Sequence, residues 1–367
     1  MKILHTGNMA NLGYFITKQL RERSLNVELL MEKSPKKLSD PLTFDTSLNG
    51  KYPNWIHFFD KSKFLWFIRI LKQMRSKDIE LIHAYVEFPI FALFSNKPYV
   101  AYAQGSDLRE LAFSNSVKGI LLRLAYKKAK LVITAQPDHI PFIKNLKIPN
   151  WIFLPVPWND EIIMENQTCQ KNKQKFTIFH PSDLNWSLKG NDIFIKGFAK
   201  FVKKFPNSIL IIIERGKDSS NTKKLIHELK IEDHIQFIKG PLLKDELFSY
   251  YGSCDVVVDQ FIVGSLGTIA LEAMLHEKPV ITFIHKTLYQ NAYSEMPPVQ
   301  IASNSDEILC RLESLINEKN RLSVGKKSRE WVQTFHSSNL IIKNLIMIYD
   351  SILKKKSIDE IKSKIDL

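Results

Sequence analysis

Cysteine is scarce in this chain of 367 residues, which contains only three. They lie far apart and form no Cys-x-x-Cys pair: Cys169, Cys254 and Cys310. This spacing excludes a disulfide-stabilised scaffold and a zinc site built on paired thiolates. It also favours a reducing compartment, so we expect a cytoplasmic protein.

Long apolar runs are absent as well. The most apolar stretches, such as residues 64–68 and 209–213, are far shorter than the ~20 residues that a membrane-spanning helix needs. The first seven residues, MKILHTG, are typical of a strand that enters a turn, and they predict no signal peptide. The ten histidines show no HExxH-type metal spacing, so we expect no zinc site. We expect no other cofactor either.

Acidic residues are fewer than basic ones, and the imbalance is uneven along the chain. There are 52 Lys and Arg against 38 Asp and Glu, a net charge of +14. Residues 1–160 hold 23 basic and 13 acidic residues, a net of +10, which leaves 29 and 25, a net of +4, for the rest. Such an excess suggests a polyanionic partner. Nucleic acid is the least favoured one, because no zinc finger, RNP-type aromatic pair or arginine-rich tract accompanies the charge.

The densest basic stretch, residues 60–77, has helical periodicity. Phe64, Ile68 and Leu71 recur at helical spacing. Basic residues surround them: Lys61, Arg69, Lys72, Arg75 and Lys77. Two interpretations stay open. The interpretation that we favour is a helix that packs on a sheet and exposes its charged face to solvent. The second interpretation is a surface that lies against anionic lipid headgroups.

Short apolar runs alternate with amphipathic helical patterns along most of the chain, which predicts parallel sheets with helices on both faces. The predicted strands are 2–5, 27–31, 79–83, 99–103, 131–134, 177–180, 208–214, 234–238, 256–260 and 280–283. A polar stretch with prolines near 155–175 separates two such arrays. We therefore predict an α/β fold of two doubly wound, Rossmann-like domains that face a central cleft, where ligands of such sheets bind.

The segment from Asp255 to Met274 carries the clearest chemical pattern. A buried type of strand ends near residue 260, a small-residue turn follows, and a helix begins near residues 267–268. Free backbone N–H groups at a helix start bind anions, and glycines let phosphate oxygens approach the backbone. Glu272 lies about one helical turn after Thr268 and can accept hydrogen bonds from sugar hydroxyls. A tight packing turn with a solvated glutamate is the simpler alternative.

A second pattern runs from Phe179 to Gly190, again a strand that leads through a loop into a helix. Lys189 in this segment can bring a positive charge to a diphosphate leaving group. The simpler alternative is that Lys189 is merely one of many exposed basic residues, and the segment taken alone favours that alternative.

Together these segments resemble, in order along nearly the whole chain, the GT-B-fold retaining glycosyltransferases of family 4, the glycosyl transferases group 1. The resemblance is densest over residues 176–340. It rests on several motifs, namely His180-Pro-Ser with Lys189-Gly190, 213–216 with 222–229 and 233–240, 271–274 with 278–281, 105–109, and the loop 7–13. Ordered motifs of this kind are far more specific than any one of them.

The resemblance implies a role for particular residues of this chain. Glu272 matches the second glutamate of the E-x7-E motif and would bind the donor ribose. Lys189 matches the basic residue that neutralises the diphosphate, and we expect these two residues to be catalytic. The diphosphate would lie on the backbone of the turn Ser265, Leu266, Gly267 and Thr268. Gly13 matches a loop glycine that closes over the phosphates and sugar, and Gln104 and Asp107 match the acceptor region.

Three departures from the family pattern affect these roles. Gly264 stands where the first glutamate of E-x7-E, which usually approaches the donor sugar, is expected. Gln104 replaces a common histidine and cannot act as an acid or base. No arginine precedes Lys189 in residues 183–187. Arg215 or a residue of the N-terminal domain could take its place.

The resemblance further implies three regions. Residues 1–165 would form an acceptor-binding domain, residues 166–335 a nucleotide-sugar-binding domain, and residues 336–367 a helix that returns to the N-terminal domain with a basic tail. The activity would be hexosyl or related transfer, with retention, from a nucleotide-diphosphate sugar, a UDP-sugar being favoured. The acceptor would be a sugar or a lipid-linked molecule in cell-surface glycan, polysaccharide or glycolipid assembly, with peripheral attachment to an anionic membrane.

Two alternatives remain beside this hypothesis. The missing glutamate and arginine are compatible with a catalytically impaired protein that only binds a nucleotide sugar. Another GT-B enzyme, such as a nucleotide-sugar epimerase or a sugar phosphorylase, would use the same architecture.

Overall fold

The structure is a computed structural model, and it describes residues 1–36, 39–158 and 175–365. The chain forms two compact units. The first combines Met1–Trp158 with Ser338–Leu367, and the second is Asn159–Ser337. The predicted boundary after residue 165, Cys169 and all but the last residue of the stretch 167–175 lie outside the described residues.

The first unit is built on a seven-stranded parallel sheet in the order β3-β2-β1-β4-β5-β6-β7. Its strands are β1 Lys2–Thr6, β2 Asn26–Glu32, β3 Ile56–Phe59, β4 Leu81–Tyr85, β5 Tyr99–Ala103, β6 Leu131–Thr134 and β7 Trp151–Phe153. The helices between them are α1 Leu12–Glu22, α2 Pro41–Phe44, α3 Trp66–Met74, α4 Pro89–Leu93, α5 Ser106–Arg109, α6 Val117–Lys128 and α7 Ile140–Asn145. The central strands β4, β5 and β6 are buried along their whole length, because apolar clusters cover both faces of the sheet.

The second unit is built on a six-stranded parallel sheet in the order β10-β9-β8-β11-β12-β13. Its strands are β8 Phe176–His180, β9 Ser208–Glu214, β10 Ile235–Lys239, β11 Val256–Val258, β12 Val280–Thr282 and β13 Gln300–Ile301. Its helices are α8 Trp186–Lys189, α9 Asn191–Lys204, α10 Ser219–Glu228, α11 Lys244–Ser253, α12 Thr268–Leu275, α13 Lys286–Ala292, α14 Ser305–Ser314 and α15 Glu318–Phe335. The predicted α/β architecture with two parallel sheets is confirmed.

The last helices, α16 Ser338–Leu353 and α17 Ile358–Lys362, belong to the first unit. Leu345 and Ile348 of α16 pack in the same apolar cluster as the strands of the first sheet. The Tyr349 hydroxyl lies 3.2 Å from Nε2 of His5 and 2.5 Å from Nδ1 of His83, both buried in the sheet. Polar contacts as well as apolar packing therefore hold the C-terminal helix on this unit.

Helix α3 differs from the helix predicted over residues 60–77. It begins only at Trp66, after Leu65 in the left-handed conformation, and it packs on the core through Trp66, Ile70 and Met74. Phe64 and Ile68 point away from the core, with 91% and 48% of their surface exposed. The predicted apolar stripe is therefore not the packing face, because the residues four apart from Trp66 occupy that face.

Helix α15 was not expected from the sequence, because much of its buried face is not apolar. It buries Arg321, Gly325 and Ser328 before Trp331. A Cβ at Gly325 would lie 2.0 Å from the carbonyl oxygen of Glu277, so the backbones are in direct contact there. Such a face has no apolar periodicity to detect.

No helix among the described residues has the length and apolar character that crossing a membrane requires.

Candidate functional site

Polar side chains collect at the carboxyl edge of the second sheet, where β8 and its neighbour β11 end. His180 is the last residue of β8, and Asp259 and Gln260 directly follow β11. The turn 264–267 then leads into α12. In doubly wound sheets this edge is where ligands bind.

His180 fixes the ends of these strands. Its Nδ1 lies 2.9 Å from the carbonyl oxygen of Val258, and its Nε2 lies 2.9 Å from the side-chain amide of Asn191 at the start of α9. Burial lowers the pKa of His180 to about 4. The ring is therefore neutral at pH 7, so it donates from Nδ1 to Val258 and accepts at Nε2 from Asn191.

Asp259 lies beneath the start of α12. Its Oδ1 accepts a 2.6 Å hydrogen bond from the Ser182 hydroxyl, and its Oδ2 has no hydrogen-bond partner among the described residues. A Cβ at Gly267, the N-cap of α12, would lie 3.2 Å from that Oδ2. Glycine at this position therefore leaves room for a buried carboxylate near the positive end of the helix.

Gln260 connects two of the residues predicted from the sequence. Its Oε1 accepts a 3.3 Å hydrogen bond from Nζ of Lys189, and its side-chain amide donates to the carbonyl oxygen of Ser265. The backbone N–H of Phe261 also donates to the carbonyl oxygen of Lys189, at 2.8 Å. The structure thus brings Lys189 and the turn before α12 together, although 75 residues separate Lys189 from Gly264 in the sequence.

The turn 264–268 presents only part of the backbone that was expected to hold a diphosphate. The Leu266 N–H already donates a 2.6 Å hydrogen bond to the hydroxyl of Tyr289. Gly267 is extended, and no side chain among the described residues caps α12, which begins at Thr268. The first-turn N–H groups of this helix therefore keep the character of an anion site.

Gly264 has a left-handed backbone, with φ of 73°. A Cβ at this position would lie 2.4 Å from Cδ2 and 2.6 Å from Nε2 of His285. The exposed imidazole of His285 therefore occupies the space into which a side chain at residue 264 would extend. Both the backbone and the ring explain why no glutamate stands at this position.

Glu272 lies on α12 and is only 4% exposed. Its Oε2 accepts a 3.3 Å hydrogen bond from the Tyr251 hydroxyl, and its Oε1 lies 3.6 Å from Nζ of Lys244. Burial raises the pKa of Glu272, and the nearby Lys244 ammonium opposes that shift. The carboxylate is thus held in a defined orientation by two residues of α11.

Arg215 brings a second cation near the loop that contains Lys189. It follows β9, and its Nε lies 3.1 Å from Oδ1 of Asp183, which follows β8. The Leu184 N–H donates to the carbonyl oxygen of Arg215 at 2.7 Å. Arg215 therefore lies beside the 183–187 stretch in which the expected arginine is missing.

The predicted residues of the first unit also lie at the carboxyl edge of their sheet. Asp107 is buried, and it accepts hydrogen bonds from the Gly105 N–H at 2.6 Å and from the Tyr126 hydroxyl at 2.7 Å. It also accepts from the N–H of Gln104, whose side-chain oxygen has no partner among the described residues. Asp107 thus shapes the turn between β5 and α5.

Gly13, by contrast, lies in the first turn of α1 rather than in a loop. A Cβ there would lie 2.2 Å from the carbonyl oxygen of Gly7, so the helix start packs directly on the β1–α1 turn. Near the Gln104–Asp107 turn, an ion pair of 2.6 Å joins Arg109 to Asp138, which sequence reasoning had not singled out.

Sequence reasoning also missed Asp259, Gln260 and Lys244 as members of the site. Asp259 and Gln260 had a detectable signal, since two polar residues directly follow a run of three valines at a strand end. Lys244 had none, because its proximity to Glu272 depends on how α11 packs beside α12. Among the described residues, no group of three or more His, Cys, Asp or Glu side chains could hold a metal ion.

A comparison with known families finds a match within the second unit. Residues 164–330 match the family model described as glycosyl transferases group 1. An uncharacterized glycosyltransferase of Methanocaldococcus jannaschii is 27% identical over 346 residues, which span 84% of this chain and 90% of that protein. An uncharacterized glycosyltransferase of Haemophilus influenzae is 27% identical over 155 residues, and the match spans 42% of this chain and only 41% of that protein.

Solved structures with a similar fold cover nearly the whole chain. The Anabaena protein HepE, crystallised in complex with UDP, superposes with a TM-score of 0.72 at 14% identity, covering 96% of this chain and 100% of that one. A sucrose-phosphate synthase from Thermosynechococcus elongatus gives a TM-score of 0.71 at 13% identity, covering 97% and 100%. At these identities the likeness concerns the fold alone.

Proposed function

We propose that this chain, whose residues 164–330 match the glycosyl transferases group 1 family, transfers a sugar from a nucleotide-diphosphate sugar to a hydroxyl group of an acceptor. The donor binds at the carboxyl edge of the second sheet. A UDP-sugar is the favoured donor, and crystals of the similarly folded HepE contain UDP or UDP-glucose. The transferred group is a hexosyl or related sugar, and its anomeric configuration is retained.

One observation carries this proposal: the hydrogen-bonded chain from Lys189 through Gln260 to Ser265. It holds a cation next to the turn that precedes α12. A diphosphate at the first turn of α12 would meet both the N–H groups of the helix and the ammonium of Lys189. Arg215 supplies a second positive charge at the same edge of the sheet.

This arrangement suits the departure of a diphosphate. The bond from the anomeric carbon to the phosphate oxygen breaks, and a bond from that carbon to the acceptor oxygen forms on the same face of the sugar. The proton of the acceptor hydroxyl passes to the departing phosphate oxygen, so no side chain is needed as a general base. Lys189 and the N–H groups of α12 stabilise the negative charge that develops on the leaving group.

Glu272 binds the donor ribose through its carboxylate. A buried carboxylate can accept hydrogen bonds from two neighbouring hydroxyl groups, whereas an amide has only one acceptor oxygen. Lys244 and Tyr251 keep the carboxylate in place before the donor arrives.

Replacing Lys189 or Glu272 tests these roles. We expect Lys189→Ala to lower kcat/KM by about 10²–10³, the usual loss when one stabilising group for a developing anion is removed. Glu272→Gln keeps the volume and should mainly raise KM for the donor. Nucleotide release from a panel of UDP-, GDP- and ADP-sugars, with mono- and oligosaccharide acceptors, measures both effects.

Matched controls come from α10, where Lys224→Ala and Glu228→Gln remove exposed groups of the same kind. If Lys189→Ala and Glu272→Gln are as active as these controls, the donor site is assigned wrongly. Nucleotide release that requires an acceptor separates transfer from an epimerase or phosphorylase reaction.

A second candidate function rests on Gly264. Since His285 fills the space at this position, the group that usually approaches the donor sugar is missing. A protein that binds UDP tightly and turns over none of the donors would be a nucleotide-sugar-binding protein instead.

We further propose that the first unit binds the acceptor through its Gln104–Asp107 turn and docks on an anionic membrane through α3. The acceptor is then a sugar or lipid-linked molecule of cell-surface glycan, polysaccharide or glycolipid assembly, reached from the cytoplasmic face. In support, Phe64 and Ile68 are exposed apolar residues next to basic ones. Apolar side chains can enter the headgroup region while lysines and arginines contact lipid phosphates.

A further inference from the structure

A surface cavity of about 810 Å³ lies at the amino edge of the first sheet. Tyr99 begins β5, Lys130 directly precedes β6, and Asn150 directly precedes β7, and all three line the cavity. The turn between α16 and α17 forms another part of the wall. This edge is opposite to the one that carries Gln104 and Asp107, so the cavity is separate from the acceptor region proposed above.

The lining of this cavity carries positive charge only. It includes no Asp or Glu, and it includes five lysines: Lys97, Lys128, Lys130, Lys355 and Lys356. No carboxylate of the described residues forms an ion pair with any of them within 4.0 Å. Nζ of Lys97 donates to a backbone carbonyl, that of Ile79, at 2.7 Å. The positive charge is therefore concentrated, and none of the five lysines is held in a close ion pair among the described residues.

The negative ends of helices account for only some of the lysines at this cavity. Lysines often stabilise the negative end of a helix, and Lys128, the last residue of α6, is in that position. Lys97 and Lys130 lie outside the helices. Lys356 lies so close to Lys364 that the second ammonium group lowers the pKa of the first. An anion bound next to Lys356 would relieve this repulsion, although Lys364 itself does not line the cavity.

The floor of the cavity is apolar. Ile352 and Ile361 line it next to the lysines, and both side chains are largely buried. Its volume lies within the range of pockets that hold small organic ligands, ~300–1,000 Å³. Lysine ammonium groups act as point charges, and lysine is a common phosphate-binding residue in proteins.

We propose that this lysine cavity binds the phosphate group of an organic phosphate whose remaining part contacts the apolar floor. Such a group can belong to a lipid headgroup or to a soluble phosphate compound. The site does not depend on the proposed transferase activity, because no residue of the second unit contributes to it.

The test compares Lys128→Ala/Lys130→Ala with the control Lys127→Ala/Lys144→Ala. The control removes the same charge from exposed lysines of α6 and α7 outside the cavity. Inorganic pyrophosphate, titrated calorimetrically, probes the soluble source. Flotation with vesicles of phosphatidylcholine, with and without phosphatidic acid, probes the lipid source. We expect Lys128→Ala/Lys130→Ala to weaken binding of at least one probe about tenfold or more, and the control to leave it unchanged.

A third variant, Lys189→Ala, shows whether pyrophosphate binds at the proposed donor site or in the lysine cavity. If pyrophosphate binding is lost in Lys189→Ala but kept in Lys128→Ala/Lys130→Ala, the pyrophosphate is bound at the donor site, and the proposal is overturned unless Lys128→Ala/Lys130→Ala selectively loses vesicle binding. Equal weakening in both lysine pairs would indicate unspecific attraction and overturn it too, as would no binding of either probe. Selective loss of pyrophosphate binding identifies a soluble phosphate ligand, and selective loss of vesicle binding identifies a lipid headgroup.

Discussion

Acidification should destabilise this protein well before its carboxylates titrate, because it buries several neutral histidines. Burial lowers the pKa of His5 to about 3, and of His139 and His180 to about 4, from an ordinary value of 6.5. At His139 the nearby Asp138 opposes burial but does not cancel it. In the unfolded chain these rings take up a proton as the pH falls below 6.5, whereas the folded protein keeps them neutral. The stability they contribute is therefore present above that pH and lost below it.

The size of the effect follows from the same values. At about pH 5.5 an unfolded imidazole is about nine-tenths protonated, while the folded one remains almost entirely neutral. Each of the three histidines then lowers the free energy of unfolding by about 1.4 kcal/mol relative to pH 7.5, so together they lower it by about 4 kcal/mol. That is a large share of the ~5–15 kcal/mol by which folded proteins are usually stable.

Urea denaturation of the full chain, followed by circular dichroism at about pH 7.5 and 5.5, measures this loss. In His139→Gln the residue cannot take up a proton in either state, so the difference between the two pH values should shrink by about 1.4 kcal/mol. His227→Gln, which replaces an exposed histidine of α10 that contacts Glu232, is the control and should change the difference far less than His139→Gln does, because its ring is not buried. If His139→Gln loses as much stability between the two pH values as the unaltered protein, the ring is not held neutral by burial and the reasoning fails.

Two further predictions concern Gly264 of the second unit and two exposed residues of the first unit. Gly264→Ala should lower the free energy of unfolding by about 1 kcal/mol or more, because it forces a left-handed conformation and meets His285. Adding His285→Ala should recover only the steric part, so an additive double-mutant cycle in urea would contradict the contact. Phe64→Ser/Ile68→Ser should reduce flotation with anionic vesicles at low salt, while Leu322→Ser, which alters an exposed leucine of the second unit, should not. Unchanged flotation of the double variant would remove α3 as the docking surface.

The sequence by itself determined the architecture and several elements to the residue. The predicted strands Tyr99–Ala103, Leu131–Thr134 and Ser208–Glu214 coincide with β5, β6 and β9, and the helix start predicted near residues 267–268 coincides with the start of α12. Strands covered on both faces need continuous apolar runs, which are visible in a sequence. Edge strands such as β3 and β13 are short and partly exposed, so their sequences carry too little of that signal.

The candidate site was visible from the sequence as separate pieces. Lys189, the turn before α12 and Glu272 each follow a recognisable strand, turn or helix start. Their partners were not visible, because Gln260 and Lys244 act through contacts that only the packed unit creates. The sequence also did not show why residue 264 is a glycine, because the ring of His285 occupies the space that a side chain there would need.

The net charge shows most clearly which features follow from the sequence and which follow only from the tertiary structure. Composition alone assigned +10 of the +14 to residues 1–160 and pointed to an anionic partner of that half. Only the tertiary structure gathered five lysines from three distant segments, around residues 97, 128–130 and 355–356, at one cavity. The physical reason is that a parallel sheet brings the amino ends of its strands to one edge, wherever they lie in the chain.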